Sequence, residues 1–393
     1  MMNFTYHMPT KLIFGQGMIR KLAKEPLPGK KALIVVSAGG SMARLGYLAR
    51  VTSLLAEAGC ESEVYDRIQP NPVKEHVMEG AALARSSKCD FVIGLGGGSS
   101  IDSAKSIALM AANTGDYWDY MNDGTGGRQT PENPALPVVA IPTTAGTGTE
   151  ADPWTVITNT ETREKIGWGN DSTFPRFSII DPMLMLSVPP SITACTGMDA
   201  FFHAVEAYLA NCNQPTSDLL AQQAIHLIST FLPQCVRDGS NPETRTMMAW
   251  ASTAAGICES LSSCISHHSL EHALSAFYPA IPHGAGLVML SEAYFSHMAK
   301  FVPERMTHLG FFMGVDVDSL PADEQPMAFV HALSKLKYNC GLGELTMSGF
   351  GVKREDLPAM AKNALESMGG LFRVTPVELD EAAVLSIFEA AYK

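Results

Sequence analysis

Apolar residues follow two different patterns in the first half of the chain. Short apolar runs at residues 32–36, 62–66, 90–95 and 138–141 predict β-strands, and apolar residues at helical spacing predict α-helices at 42–57, 73–85 and 100–112. Strands that alternate with helices along a chain favour a parallel sheet with helices on both faces. The first half is therefore predicted to be a Rossmann-like α/β domain.

The pattern changes after Pro189 and Pro190. Beyond them helical spacing predominates, with predicted helices at 200–209, 218–231, 244–259 and 325–336, and strand-like alternation is almost absent. A chain of 393 residues is long enough for two domains. We therefore predict an α/β domain at residues 1–188 and an all-helical domain at residues 189–393.

Composition and charge limit the classes of protein to which the chain can belong. Hydrophobic residues make up 46% of the chain and charged residues 17%, which is typical of a folded globular protein. The net charge of −12 disfavours nucleic-acid and anionic-membrane partners, because both bind basic surfaces. No stretch is apolar for long enough to span a bilayer, and residues 1–22 lack the apolar run of a signal peptide. We predict a cytoplasmic protein without membrane partners, and a homodimer as the commonest oligomer.

The eight cysteines are scattered along the chain and form no CxxC pair. This spacing argues against a zinc knuckle or a thioredoxin-like redox site. Reduced, mostly buried thiols are expected instead, as in cytosolic proteins.

A glycine-rich turn links the strand predicted at 90–95 to the next helix. It contains Gly96, Gly97, Gly98 and Ser99. Glycines let a ligand approach the backbone closely, and a helix N-terminus attracts phosphate groups. Ser99 is placed to cap the helix. The turn fits a pyrophosphate, but it departs from the GxGxxG fingerprint and a tight turn without a ligand is the alternative.

A second polar loop follows the strand predicted at 138–141. It contains two glycines together with Thr143, Thr144, Thr147 and Thr149. Carboxyl ends of neighbouring parallel strands share one edge of a sheet, where dinucleotides bind. A loop without a ligand is again the alternative, but two such loops favour a dinucleotide more than either one alone.

Histidines and a carboxylate are concentrated in the second half. Asp199 and His203 are four residues apart, which places both on one face of a helix. A second group consists of His267, His268, His272 and His283. Three imidazoles and one carboxylate suit a borderline cation such as iron(II) or zinc. Spacing alone leaves open which histidine is not a ligand, and an Asp–His hydrogen bond is the alternative for the first pair.

Five motifs, in this order, resemble those of the iron-containing alcohol dehydrogenase family. They are Gly96-Gly97-Gly98-Ser99 with Asp102 and Lys105, the loop at 142–148, Asp181-Pro182, Gly197-Met198-Asp199-Ala200 with His203, and His272 with Pro282-His283-Gly284. The resemblance implies a dehydroquinate synthase-like architecture with the site in the cleft between the two domains. It also implies a metal-dependent enzyme that transfers a hydride between NAD(P)(H) and a small primary alcohol or aldehyde.

The same resemblance implies roles for individual residues. The implied metal ligands, for iron(II) or zinc, are Asp199, His203, His268 and His283. His272 matches a non-ligand histidine beside the nicotinamide that relays a proton. The implied cofactor residues are Asn71, Gly97, Gly98, Ser99, Asp102, Thr143, Thr144 and Lys165.

The end of the first predicted strand bears on the choice between NAD(H) and NADP(H). A carboxylate there would pair with the ribose of NAD and repel the 2′-phosphate of NADP. The chain has Gly39, Gly40 and Ser41 instead, with Arg44 a turn further on. This resembles the form found in NADPH-preferring members of the family. We therefore predict cofactor contacts at residues 39–41 and a preference for NADP(H).

Some residues depart from the family pattern or have no role in it. Asp152 stands where many relatives have threonine, and a structural hydrogen bond is expected for His267. Phe201, Phe277 and Tyr278 are predicted to line a pocket for a short aliphatic or hydroxylated substrate. Two other functions are alternatives: a lyase similar to dehydroquinate synthase, which needs several basic pocket residues, and a non-catalytic nucleotide- or metal-binding protein.

Overall fold

The computed structural model of the chain describes residues 3–393, and its strands form one large sheet and one hairpin. The strands are β1 (Lys11–Phe14), β2 (Lys31–Ser37), β3 (Glu61–Ile68), β4 (Phe91–Gly96), β5 (Val138–Pro142), β6 (Thr155–Asn159), β7 (Glu164–Trp168) and β8 (Phe177–Ile180). Six of them form a parallel sheet in the order β1-β8-β5-β4-β2-β3, and β6 pairs with β7 in an antiparallel hairpin.

Helices cover the sheet and predominate after the last strand. They are α1 (Ser41–Arg44), α2 (Tyr47–Glu57), α3 (Lys74–Ser86), α4 (Gly98–Ala112), α5 (Pro190–Leu209), α6 (Pro215–Arg237), α7 (Pro242–Leu261), α8 (Ser266–Phe277), α9 (His283–Met298), α10 (Pro303–Phe312), α11 (Ala328–Asn339), α12 (Leu357–Ser367), α13 (Gly369–Val374) and α14 (Glu381–Ala391). The first four alternate with strands, and the others follow the last strand. None of the helices in residues 3–393 is both long enough and apolar enough to span a membrane.

Strand β2 shows why helices must cover both faces of the sheet. Ala32 and Ile34 pack in one apolar core, whereas Leu33 and Val35 pack in another. Successive side chains of a strand point to opposite faces, so a strand buried on both faces is a continuous apolar run. This is the run from which the strand was predicted.

The strand order reverses between β2 and β4. The chain runs from β2 outward to β3 and then returns to β4 on the other side of β2. In open α/β sheets such a reversal leaves a crevice at the carboxyl ends of the strands, where ligands bind. Gly39 and Gly40 follow β2, and Gly97 and Gly98 follow β4, so both predicted glycine turns flank this crevice.

The predicted fold class, a parallel-sheet region followed by helices, is confirmed. The boundary at residues 188 and 189 stays a prediction, and α5 begins at Pro190. The single helix predicted at 42–57 is wrong, because Gly46 adopts a left-handed φ of 73° and separates α1 from α2. The sequence analysis did not predict β1, β8 or the β6–β7 hairpin.

Close packing of helices brings the predicted ligands together. Helix α5 packs against α6, α7 and α9. Gly284 lies where α9 begins, and a Cβ added to it would lie 2.0 Å from the carbonyl oxygen of Cys195 on α5. Only glycine permits this approach. It places His283, the first residue of α9, next to α5.

A second glycine contact joins α7 to the threonine-rich loop, and we expect Gly256→Ala to destabilise the protein. A Cβ on Gly256 would lie 2.1 Å from the carbonyl oxygen of Gly148, whose own φ is left-handed at 66°. Overpacking of this kind costs about 1–3 kcal/mol of unfolding free energy, measurable by urea denaturation. In the control Gly369→Ala the nearest atom to the added Cβ is 3.9 Å away. Equal midpoints for the two variants would contradict the prediction.

The eight cysteines, all within the described residues, form no disulfide. Six of them are buried, and only Cys212 is exposed. The expectation of mostly buried thiols agrees with this arrangement.

Candidate active site

Helix α5 carries the first two predicted ligands. Asp199 and His203 are four residues apart on it, with 3.6 Å between His203 Nε2 and Asp199 Oδ1. Both side chains are buried. The helical spacing therefore brings the pair together on one face, as the sequence predicted.

Two further histidines from other helices meet this pair. His268 lies on α8 and His283 begins α9. Their Nε2 atoms lie 3.6 Å and 3.4 Å from Asp199 Oδ1. The rings of His268 and His203 stack with centroids 4.6 Å apart. Three imidazoles thus converge on one carboxylate oxygen.

The cluster has the donors and the spacing of a metal site. Four ligands about 2.1 Å from one tetrahedral ion would be about 3.4 Å apart, close to the 3.4–3.6 Å that separate each Nε2 atom from Asp199 Oδ1. Asp199 Oδ1 and His268 Nε2 are buried without a hydrogen-bond partner among residues 3–393, which is unfavourable unless a ligand binds them. Although burial opposes ionisation, His203 and His283 hold the pKa of Asp199 well below its usual range. The residues present therefore fit a divalent cation.

Two buried glutamates orient the imidazoles by hydrogen bonds to Nδ1, the ring nitrogen on the other side from Nε2. Glu206 Oε1 accepts hydrogen bonds from Nδ1 of His268 at 2.6 Å and from Nδ1 of His267 at 2.7 Å. Glu271 Oε2 accepts a hydrogen bond from Nδ1 of His283. A proton fixed on Nδ1 leaves Nε2 free to bind a metal, and such carboxylates are common behind metal-binding histidines.

The structural hydrogen bond expected for His267 is confirmed. Besides its contact with Glu206, its Nε2 lies 3.1 Å from the carbonyl oxygen of Leu287. Both ring nitrogens are therefore used within the core, and the side chain has no exposed surface.

A thiol also lies beside the imidazoles. Atoms of Cys264, His203 and His268 that could bind a metal lie within 4.8 Å of one another. Burial raises the pKa of the Cys264 thiol well above its usual value, whereas the thiolate is the form that binds metals. Asp199 is consequently the better fourth donor.

His272 lies next to the cluster as a neutral imidazole. Its Nδ1 donates a hydrogen bond to the backbone oxygen of Lys165 at 3.2 Å, which leaves Nε2 as the proton acceptor. Burial and the nearby Lys165 ammonium hold the pKa of His272 well below its usual range. Its ring centroid is 5.5 Å from that of His283.

The glycine turn and the threonine-rich loop face each other closely. A Cβ added to Gly97 would lie 3.1 Å from Thr144 Oγ1, and one added to Gly98 would lie 2.4 Å from Thr147 Cγ2. The backbone N–H groups at the start of α4 remain available to a phosphate. The predicted cap at Ser99 is wrong, because α4 already begins at Gly98 with Gly97 as its N-cap and no side chain caps it.

Asp102 and Lys105 belong to a buried network that joins α4 to the threonine-rich loop. Asp102 accepts hydrogen bonds from Thr149 Oγ1 at 2.7 Å and from the Val156 N–H at 3.0 Å. Lys105 Nζ pairs with Asp152 Oδ1 at 3.0 Å, and its side chain is fully buried. Burial raises the pKa of Asp152 to about 7, although Lys105 opposes that shift. Asp152, which departs from the family pattern, thus serves as the partner of a buried lysine.

Lys165 and Asn71 approach the site from the hairpin and from the loop after β3. Lys165 Nζ donates to Ser275 Oγ at 2.9 Å and to Glu271 Oε2 at 3.2 Å. Asn71 donates from Nδ2 to the Pro279 carbonyl oxygen at 3.1 Å. Lys165 is therefore linked through Glu271 to His283 of the histidine cluster.

One cavity joins the cluster to the crevice at the sheet edge. Among the predicted site residues its lining includes Asn71, Gly98, Ser99, Asp102, Lys165, Asp199, His203, His268, His272 and His283. Six predicted cofactor residues lie outside this lining, at the ends of β2, β4 and β5: Gly39, Gly40, Ser41, Gly97, Thr143 and Thr144.

The aromatic lining predicted for the pocket is wrong. Phe201 is fully buried in the helical core, where it stacks on Phe329 at 6.1 Å. It is two residues from Asp199, and a step of two residues turns a helix toward its opposite side. Phe277 and Tyr278 also lie outside the cavity, which Trp154 lines instead.

Sequence reasoning missed three glutamates near the histidines. Glu206 could have been found, because it follows His203 by three residues and shares its helix face. Glu271 and Glu259 reach the site only through the packing of α8 and α7, which no spacing in the sequence reveals.

A sheet edge of the kind that binds dinucleotides lies beside a cluster of three histidines and one aspartate, an arrangement that suits a metal-dependent dehydrogenase. Residues 9–182 match the model of the iron-containing alcohol dehydrogenases, and residues 193–392 match the C-terminal model of the Fe-containing alcohol dehydrogenase family. The chain belongs to the iron-containing alcohol dehydrogenase family. It is an oxidoreductase that acts on alcohols with iron and a nicotinamide cofactor.

Relatives cover the whole chain. The 1,3-propanediol dehydrogenase of Citrobacter freundii is 35% identical over 398 residues, 99% of each chain. The NAD-dependent methanol dehydrogenase of Bacillus methanolicus is 35% identical over 370 residues, 92% of this chain and 93% of that one. An archaeal halo-thermophilic alcohol dehydrogenase from a Red Sea brine pool has a solved structure with a TM-score of 0.94 and 34% identity, covering 100% of this chain and 99% of that one.

Proposed function

We propose that the chain interconverts a small primary alcohol and its aldehyde in the cavity beside the histidine cluster. The observation that carries this proposal is the convergence of three Nε2 atoms on Asp199 Oδ1, at 3.4–3.6 Å. The proposed iron ligands are Asp199, His203, His268 and His283. A bound iron(II) ion, or zinc(II) with the same donors, would act as a Lewis acid on the alcohol oxygen.

The cofactor is proposed to extend from this cluster along the carboxyl ends of β4, β5 and β2. The N–H groups at Gly98 and Ser99 would bind the pyrophosphate, because they begin a helix and line the cavity. The remaining contacts are proposed at Gly39, Gly40, Ser41, Asn71, Gly97, Thr143 and Thr144. Asp102 and Lys165 would position neighbouring groups through the hydrogen bonds described above.

NADP(H) is the proposed cofactor form. The turn after β2 carries no carboxylate between Ser37 and Arg44, so nothing there repels a 2′-phosphate. The Bacillus methanolicus relative is named an NAD-dependent enzyme. Comparing the two cofactors therefore tests directly whether this chain differs from that relative. We expect a higher kcat/KM with NADPH than with NADH under identical conditions. The reverse order would contradict this preference.

His272→Ala is expected to reduce turnover while leaving the iron content unchanged. His272 is the neutral imidazole beside the cluster, and a general acid or base in this role contributes roughly 100-fold. The pH profile of kcat and the iron content per chain measure the two effects separately. The exposed His331→Ala variant serves as the control. An unaltered pH profile and rate would exclude the proton relay.

Anaerobic reconstitution tests the proposed reaction as a whole. The purified chain is loaded with iron(II), and the loss of NADPH absorbance is followed with a series of short aldehydes, alongside a chelator-treated sample. Turnover only in the loaded sample is expected. If neither NADPH nor NADH is consumed with iron or zinc, the proposed reaction falls, and a lyase or binding function must replace it.

Two properties outside the site are also proposed. A homodimer is proposed because closed two-fold dimers are the commonest oligomers, and sedimentation velocity tests it. A cytoplasmic location is proposed because eight cysteines without a disulfide suit a reducing compartment, and fractionation of the source cells tests it.

A further inference from the structure

Glu259, near the end of α7, is a carboxylate that the proposed metal site does not use. Its Oε2 lies 3.8 Å from His203 Nε2, and its side chain keeps 17% of its surface exposed. It lines the cavity together with Ser263 and Cys264. Within residues 3–393 it belongs to none of the compact groups of side chains that could hold a metal ion.

Carboxylate side chains outnumber lysines and arginines in the lining of the cavity around Glu259. The carboxylates in its lining are Asp102, Asp123, Asp152, Asp199 and Glu259, and Lys165 is the one lysine or arginine there. Lys165 is already paired with Glu271. His203 is the sole ion-pair partner of Glu259 within the described residues. Asp152 is compensated by the buried Lys105, whereas Glu259 has no lysine or arginine partner among the described residues.

A carboxylate that lines the cavity beside the histidine cluster is placed where it can contact a bound substrate. An ionised carboxylate only accepts hydrogen bonds, and a partly buried charge is unfavourable without a partner. An anionic substrate would be repelled, whereas a hydrogen-bond donor would satisfy the carboxylate. Because Glu259 lies beside His203, one small molecule can contact both the cluster and Glu259.

We propose that Glu259 selects alcohols and aldehydes that carry a hydrogen-bond donor, either an ammonium or a hydroxyl group, on the end remote from the reacting carbon. This proposal rests on the proposed function, since it requires the reacting carbon to lie at the histidine cluster. It makes Glu259 a specificity-determining residue that contacts the substrate.

Alcohols of equal length test this role. The kcat/KM values of the iron-loaded enzyme are compared for propan-1-ol, propane-1,3-diol, 3-aminopropan-1-ol and the anion 3-hydroxypropanoate. The wild type should prefer the diol and the amino alcohol to propan-1-ol, and the anion should be the poorest substrate. E259L should lower the preference for both donor-bearing alcohols roughly 10- to 100-fold, as expected for hydrogen bonds to a charged group. E259Q should lose the preference for the amino alcohol and keep part of that for the diol.

A control variant, a binding measurement and the iron content distinguish substrate contact by Glu259 from a general or metal-binding role. E243Q removes an exposed carboxylate from the other end of the same helix and should leave the ratios unchanged. Calorimetric titration of the enzyme with 3-aminopropan-1-ol, in the absence of cofactor, should show that E259L and E259Q bind this alcohol more weakly than the wild type does. Both variants should retain the wild-type iron content.

Three results would overturn the proposal. Wild-type substrate ratios in E259L and E259Q would show that Glu259 does not contact the substrate. Loss of iron from E259Q would make Glu259 a metal ligand. If the wild type oxidises none of the alcohols with either cofactor, the proposed function itself fails, and the inference fails with it. If E259L does not fold, E259Q alone tests the proposal, through its ratio of kcat/KM for 3-aminopropan-1-ol to kcat/KM for propan-1-ol.

Discussion

Asp199→Ala is expected to yield a folded chain that no longer binds iron and has lost at least ~1000-fold in kcat/KM. Asp199 supplies the sole anionic donor of the cluster, and all three Nε2 atoms lie 3.4–3.6 Å from its Oδ1. Charge stabilisation by a catalytic metal is worth several kcal/mol, which corresponds to this factor. Iron content is measured by elemental analysis, and turnover with a saturating alcohol and cofactor.

The control for this variant is Asp318→Ala, which removes an exposed carboxylate far from the cluster in sequence. It should keep both iron and activity. Circular dichroism verifies that Asp199→Ala is folded. An Asp199→Ala protein with wild-type iron content would show that three histidines suffice, and Cys264 or Glu259 would then be the replacement donors to test.

Glu206→Ala is expected to have the largest effect on stability. The Glu206 carboxylate accepts hydrogen bonds from Nδ1 of both His267 and His268 and from the Ile265 N–H at 2.9 Å. All these groups are buried, so removing their shared acceptor leaves them unpaired and should cost about 3–5 kcal/mol of unfolding free energy. Loss of the oriented His268 should also weaken iron binding roughly 10- to 100-fold.

Urea denaturation of iron-free protein and competitive iron titration measure these two effects. Glu206→Gln is the matched variant, because it keeps the volume and removes the charge. Although burial opposes ionisation, His268 and His267 hold the pKa of Glu206 below its ordinary value of 4.5. Its stabilising contribution is therefore complete above that pH and is lost as the pH falls through the lowered pKa. Equal stability of wild type and Glu206→Ala at neutral pH would contradict this account.

Features of the site could be predicted from the sequence where all of their residues lie on one helix or in one turn. The Asp199–His203 pair followed from the repeat of the helix, and the glycine turn at 96–99 followed from the end of a buried strand. In the structure the Asp199–His203 pair lies on α5 and the glycine turn precedes α4, as the sequence predicted. The predicted Ser99 cap was wrong by two residues, because the start of a helix depends on hydrogen bonds that composition does not specify.

Side chains that act across elements could not be predicted from spacing. Glu271 meets His283 because α8 packs against α9, and Lys165 reaches Glu271 from a hairpin that the sequence did not reveal. Such positions are fixed by packing between segments that are far apart along the chain.

The sequence by itself determined the order of α/β and helical regions, the glycine turns at the sheet edge, and the family motifs. These depend on periodicity and on conformations that single residues permit, so they are local properties. Only the tertiary structure decided that His268 and His283 meet the Asp199–His203 pair, and that Glu271 and Glu259 lie beside these histidines. The reason is that close approach of helices, as at Gly284, depends on the complementary shapes of distant segments.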